Sequence, residues 1–291
     1  MTGSFIAVDW GSTHLRAWLY RDGECIKQQQ QPLGVSRLTD VSAREVFEQY
    51  IAPWRQQART PVVMAGMIGS DAGWLPVPYL PCPVALHQLS ARLSEVAEQV
   101  WIVPGLMQQA NGHHSVMRGE ETQLLGAMAL APASCYVMPG THSKWVRTAN
   151  DAVQQFATAM TGELHHLLMS QSLIGKGLPA QQESVGAFQA GLQSGLDSPS
   201  LVTRLFEARA GRLLGHLPAE HVSEWLSGLL IGAEVAAMLA EHPATEIALV
   251  GSESLCRRYR QALDMKGVAA HEVAGDTAFL HGIRRIIDAR S

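Results

Sequence analysis

The feature that most constrains this chain is a turn that occurs twice. Val8-Asp9-Trp10-Gly11-Ser12-Thr13-His14 ends an apolar run, residues 5–8, in a glycine and two hydroxyl residues. Val137-Met138-Pro139-Gly140-Thr141-His142-Ser143 does the same after the apolar run 135–138. A basic residue and a tryptophan follow each copy, Arg16 and Trp18 in the first and Lys144 and Trp145 in the second. An apolar run that stops at a glycine and then resumes reads as two strands around a tight turn. Two such units suggest a duplicated domain with a cleft between the copies. Taken alone, each is also an ordinary Gly-Thr or Gly-Ser hairpin.

The other periodicities predict an α/β chain. Strands are expected over 15–20, from 24 to about 28 after the Asp22-Gly23 turn, and over 61–65, 100–103 and 246–250. Apolar residues at helical spacing predict helices over 42–58, 119–130 and 276–289, and helical patterns dominate 162–241. The stretch 66–83, rich in Gly and Pro, reads as one long loop, and such loops are usually functional.

Composition excludes several classes. A chain of 291 residues suggests about two domains, read here as 1–130 and 131–291. Hydrophobic residues at 47% and charged residues at 16% describe an ordinary globular protein. The net charge of −4, without a basic block, gives nucleic-acid binding no support. No uninterrupted apolar run predicts a membrane span, and the first residues carry no basic region or cleavage pattern, so a cytoplasmic protein is expected. Cys25, Cys82, Cys135 and Cys256 form no CxxC pair and are read as reduced, mostly buried thiols.

Several segments can carry chemistry. Asp9 ends a strand beside a glycine turn, where a carboxylate can hold Mg²⁺ and turn amides can cradle phosphate oxygens. It can equally start an Asx-turn. Gly140-Thr141-His142-Ser143-Lys144 offers hydroxyls, amides and an ammonium, but Met138 stands where Asp9 stands in the first copy. Arg118-Gly119-Glu120-Glu121-Thr122-Gln123 is a dense polar cluster: the glutamates either serve a helix start or accept a proton from a substrate hydroxyl. Thr161-Gly162-Glu163-Leu164 resembles a helix entry, and Gly251-Ser252 is a strand-to-helix turn that a nucleotide could approach. His113-His114 and His165-His166 lack the spacing of a helical zinc motif, and GxxxxGK[ST] is absent from the sequence.

Taken in order, Asp9-Trp10-Gly11-Ser12-Thr13 with Arg16, Met67-Ile68-Gly69-Ser70 with Gly73-Trp74, Val116-Met117-Arg118-Gly119-Glu120-Glu121-Thr122-Gln123, Pro139-Gly140-Thr141-His142-Ser143-Lys144-Trp145 and Thr161-Gly162-Glu163-Leu164 resemble the 2-dehydro-3-deoxygalactonokinase family over nearly the whole chain. The resemblance implies the duplicated, ribonuclease H-like fold of the actin-like ATPases, with two lobes and an interlobe cleft. It implies ATP-dependent phosphorylation of 2-dehydro-3-deoxy-D-galactonate at the 6-hydroxyl, in galactonate catabolism. Asp9 would position Mg²⁺. Gly11, Ser12, Thr13, Gly140, Thr141, His142, Ser143 and Lys144 would hold phosphates, and Gly251 and Ser252 would lie at the adenosine. Arg16, Ser70, Asp71, Arg118 and Glu163 would face the sugar acid, with Arg16 or Arg118 on its carboxylate. The base is open between Glu120 and Glu121, with Asp71 a further candidate. Gly228 and Gly232, in a helix resembling the one that lets the lobes move, permit close helix contact. The last helix would pack back on the first lobe. A homodimer is one assembly open to such a kinase. The competing readings are a kinase for another 2-keto-3-deoxy sugar acid and a non-catalytic sensor of the same fold.

Overall fold

The computed structural model describes residues 3–55, 60–110, 112–198 and 200–290. The chain opens with strands β1 (Phe5–Trp10), β2 (Leu15–Arg21) and β3 (Glu24–Gln31), then helix α1 (Ala43–Tyr50) and β4 (Val62–Ala65). Short strands β5 (Leu80–Pro81), β6 (Val84–Ala85), β7 (Ser94–Ala97), β8 (Val100–Ile102), β9 (Leu106–Ala110) and β10 (His113–Met117) lead to α2 (Glu120–Leu130). Then come β11 (Cys135–Met138), β12 (Ser143–Ala149), β13 (Ala152–Ala159) and helices α3 (Thr161–Gln171), α4 (Val185–Asp197), α5 (Leu201–Arg204), α6 (Glu207–Leu213) and α7 (Val222–Glu241). The chain ends with β14 (Glu246–Gly251), α8 (Glu253–Met265), β15 (Ala269–Ala274) and α9 (Gly275–Asp288).

Two compact units divide the chain. One holds Met1–Pro132, Arg147–Ala157 and Val273–Ser291; the other holds Ala133–Val146 and Thr158–Glu272. The first contains a sheet in the order β3-β2-β1-β4-β8-β7, with β2 antiparallel to β1 and β4 parallel to it. In the second, β11 has β12 on one side and β14, parallel to it, on the other. The repeat seen in the turns is therefore a repeat of topology. Each copy is a hairpin whose first strand also pairs in parallel with a later strand, and each of these hairpins carries one of the two turns. Residues 147–157 of the β12–β13 hairpin belong to the first unit, where Ala152 and Val153 pair with Ala85 and Val84.

The alternating apolar residues of the strands supply the cores. In the first unit Ile6, Val8, Trp10, Val62, Met64 and Ile102 pack with Phe47 of α1. In the second, Val137 and Leu249 pack with Phe188 and Leu192 of α4, Ile231 of α7 and Tyr259 of α8. α4 and α7 cross with backbones nearly touching: a Cβ on Gly191, Gly195, Gly228 or Gly232 would overlap backbone atoms of the facing helix. Within the second unit, the close contact permitted by Gly228 and Gly232 is thus with α4.

Several expectations need correction. The helix expected over 42–58 stops at Tyr50 and gives way to a 3₁₀ turn at Ala52–Trp54, while residues 56–58 lie outside the described residues. Pro53 lacks the N–H that a continuing α-helix would bond to the Gln49 carbonyl. The loop over 66–83 contains a 3₁₀ turn at Met67–Gly69 and strand β5. α7 is by length and composition apolar enough to cross a membrane, although Glu224 and Glu234 interrupt the run; its apolar side chains are largely buried within the second unit. Cys135 and Cys256 are buried, Cys82 is half-buried and Cys25 is exposed.

Candidate active site

The carboxyl ends of β1 and β4 carry the polar residues of the first unit. Asp9 lies opposite Arg16 in the β1–β2 register and beside Ala65 of β4. Its carboxylate accepts from the Arg16 guanidinium, which also donates to Asp276 of α9 at 2.5 Å. Burial pushes the Asp9 carboxyl up, an effect that Arg16 partly offsets. The backbone beside it is kept narrow. Gly66 has φ of 97°, and a Cβ there would come 2.8 Å from the Trp10 carbonyl. Gly119, with φ of 110°, would place its Cβ 3.2 Å from Gly66 Cα. Only glycine enters this region without strain, so the polar stretch at 118–121 can lie against the end of β4.

That stretch divides its two glutamates. Glu121 is fully buried, its carboxylate accepting from Gly119 N–H at 2.7 Å and from the Thr122 hydroxyl at 3.0 Å. Burial, and after it the neighbouring Glu120, push the Glu121 carboxyl up to about 8, so it is largely protonated at neutral pH. Glu120 is only half-buried and accepts from the Arg118 amide at 3.0 Å. The Arg118 guanidinium lies 4.2 Å from the centre of the Tyr79 ring and donates to the Val77 carbonyl at 2.7 Å. Its Nε and Nη1 are buried without an acceptor. Arg16 has two carboxylate partners, whereas Arg118 holds two unspent donors. Ser70 donates to the Met67 carbonyl, and Asp71 is exposed in the loop beyond.

The first turn is braced from one side: Gly11 N–H bonds to the His14 carbonyl, and Ser12 accepts from the amide and hydroxyl of Ser36. Ser12 and Thr13 are exposed. In the second unit the parallel pair β11–β14 brings Pro139 against Gly251, whose added Cβ would lie 3.6 Å from the Pro139 carbonyl. Gly140, Thr141 and His142 form the turn. Glu163 bonds it twice, through its amide to the Thr141 carbonyl at 3.0 Å and through its carboxylate to His142 at 2.5 Å. Ser143 is buried, and so is Lys144, whose ammonium donates to Thr158 at 3.2 Å. Ser252 is exposed at the N-cap of α8. A cavity of about 290 Å³ lies beside Gly140, lined also by Gly162, His165, Ser227, Leu255 and Arg258.

The structure brings Asp9 together with Arg16, Arg118 with Glu120 and Glu121, the turn at Gly140 with Glu163, and Gly251 with Pro139. Sequence reasoning missed Asp276, Tyr79, Tyr259 and Glu234. Glu234 did carry a signal: an acid in the apolar interior of a helix must be partnered if it is buried. Asp276 had no local signal, being 260 residues from Arg16.

Among solved structures, component A of (R)-2-hydroxyglutaryl-CoA dehydratase from Acidaminococcus fermentans matches over 100% of both chains with a TM-score of 0.56 at 12% identity, so the two share a fold. A crystal structure of a Sinorhizobium meliloti protein ascribed 2-dehydro-3-deoxygalactonokinase activity matches far more closely, with a TM-score of 0.91 at 34% identity, over 98% of this chain and 99% of that one. The 2-dehydro-3-deoxygalactonokinase of Escherichia coli (strain K12) is 52% identical over 99% of both chains. The model of the 2-keto-3-deoxy-galactonokinase family matches residues 9–286, and the chain belongs to that family.

Proposed function

We propose that the protein transfers the γ-phosphoryl group of ATP to the 6-hydroxyl of 2-dehydro-3-deoxy-D-galactonate. The observation that carries this reading is the 52% identity, end to end, with the E. coli enzyme of that name. The protein is a kinase, and its acceptor is a sugar acid.

The residue roles follow from the chemistry of each position. Phosphoryl transfer needs positioning and charge stabilisation more than covalent help. The exposed turn at Gly11, Ser12 and Thr13 and the turn at Gly140 and Thr141 offer amides and hydroxyls to phosphate oxygens. Nucleoside binding fits the cavity beside Gly140, next to the helix that follows Gly251 and Ser252. An Mg²⁺ ion suits the Asp9 end of β1: the donor is a hard oxygen, and the raised proton affinity of Asp9 is what a nearby cation relieves. When bound, the ion would neutralise charge on the β and γ phosphates. Asp9 would hold it, with Arg16 keeping the carboxylate in place.

Glu120 suits the proton acceptor better than Glu121, because Glu121 is sealed from solvent and holds its own proton at neutral pH. Arg118 suits the sugar-acid carboxylate better than Arg16, because Arg16 is already paired with two carboxylates, whereas the Arg118 guanidinium is held on Tyr79 and the Val77 carbonyl and has no carboxylate partner among the described residues. A coupled assay of ADP release tests the reading, with 2-dehydro-3-deoxygalactonate, its gluconate-series epimer and neutral sugars as acceptors. Turnover with the first is expected. Turnover only with the epimer would correct the substrate, and ATP binding without acceptor-dependent ADP release would point to a sensor.

A further inference from the structure

Glu234 sits in the middle of α7 and is buried. Its Oε1 accepts the indole N–H of Trp145 at 2.7 Å, and its Oε2 accepts the hydroxyls of Tyr259, at 2.6 Å, and Thr161. The Tyr259 oxygen lies 2.8 Å from Ser143 Oγ. Ser143 and Trp145 stand on β12, the strand that leaves the turn at Gly140. Thr161 opens α3, whose Gly162 lies so near that turn that a Cβ there would come 2.6 Å from the Gly140 carbonyl. Tyr259 stands on α8, which begins after Gly251 and Ser252. One carboxylate therefore ties together the turn, the start of α3 and the helix that follows Gly251.

The buried carboxylate thus already accepts three bonds from the protein, and a hydrogen-bonded network of this kind is rigid. We infer that Glu234 is a positioning residue for the nucleotide: it holds the phosphate-facing turn and, through Tyr259, the nucleoside-facing helix α8 in one arrangement. The inference rests on the reading of these segments as the ATP side of the kinase.

The test compares Glu234→Leu, Glu234→Gln and Trp145→Phe with the parent enzyme. It measures KM for ATP, KM for the sugar acid and, by calorimetry without acceptor, binding of a non-hydrolysable ATP analogue. Leucine takes the acceptor from the buried Trp145 and Tyr259 and from the half-buried Thr161, so KM for ATP and the analogue Kd are expected to rise about tenfold or more, with KM for the sugar acid within about twofold of the parent. Glutamine keeps the size and one carbonyl, and the two hydroxyls can turn to accept from its amide, so it should recover most of the loss. An equal rise in both KM values, or a folded Glu234→Leu enzyme that binds the analogue like the parent, would overturn the inference. If the leucine variant does not fold, Trp145→Phe takes its place: it removes one donor and should raise KM for ATP about threefold, and an unchanged value there overturns the inference equally. Failure of the function reading is separate. It would appear as a parent protein that binds the analogue but does not phosphorylate the acid.

Discussion

Arg16 faces Asp9 across the β1–β2 hairpin and joins it to Asp276 on α9. The pairing sets the carboxylate's direction and limits the rise in its proton affinity. Asp9→Asn is expected to lower kcat by about 10²–10³ while the protein still folds. Arg16→Met should lower kcat by about tenfold or more and raise the Mg²⁺ concentration needed for half-maximal rate. Asp276 is largely exposed, so Asp276→Asn should change kcat only about threefold or less. Steady-state kinetics at varied Mg²⁺ check all three, and an Asp9→Asn enzyme with parental kcat would remove Asp9 from the metal.

Glu121 gives a pH dependence of stability with a defined sign. Its carboxyl moves from the ordinary 4.5 up to about 8 on folding. Below pH 4.5 both states hold the proton and the contribution is intact. As pH rises toward 8 the unfolded chain releases the proton first, so stability falls through that window. Glu121→Gln removes this slope. Urea midpoints at about pH 5 and about pH 8 should therefore show the variant gaining on the parent at the higher pH. A constant difference between the two proteins would contradict the burial argument.

Arg118 should govern acceptor affinity. Arg118→Lys keeps the charge but loses the planar fork, and Arg118→Ala loses both. KM for the sugar acid should rise about tenfold for lysine and more for alanine, with KM for ATP nearly unchanged. A neutral acceptor should not respond in the same way. Equal effects on acid and neutral acceptors would take Arg118 off the carboxylate.

The α4–α7 crossing should tolerate no side-chain growth. Gly195→Ala or Gly228→Ala places a methyl where the facing backbone stands, and either is expected to cost about 3 kcal/mol. Gly186 on the same α4 has open space around it, so Gly186→Ala should be neutral or slightly stabilising. Thermal unfolding distinguishes the three, and equal Tm values would refute the close packing.

How much of this was legible beforehand depended on the range of the interaction. The strands at 5–8, 135–138 and 246–250 announced themselves as apolar runs closed by glycine, and the structure extends them by one or two residues at most. The repeat of turns was visible because its signal lies within seven or eight residues. The β9–β10 hairpin was not read, because its strands are short and its exposed face is as polar as a loop. The tie from Arg16 to Asp276 and the gathering of Trp145, Thr161 and Tyr259 on Glu234 join residues distant in sequence, and no local pattern encodes them. The choice between Glu120 and Glu121 turned on burial, which two adjacent identical side chains cannot reveal.

The first unit draws its helix α9 from residues 275–288 and packs it on α2, where a Cβ on Gly126 or Gly282 would strike the partner's backbone. During synthesis on the ribosome, the half of the protein begun first is therefore finished last. The face of α2 that α9 covers stays wet until translation has passed every other element. A nascent chain stalled before α9 should expose that face to chaperones and proteases, while the segments of the second unit, already complete, have all their own partners at hand.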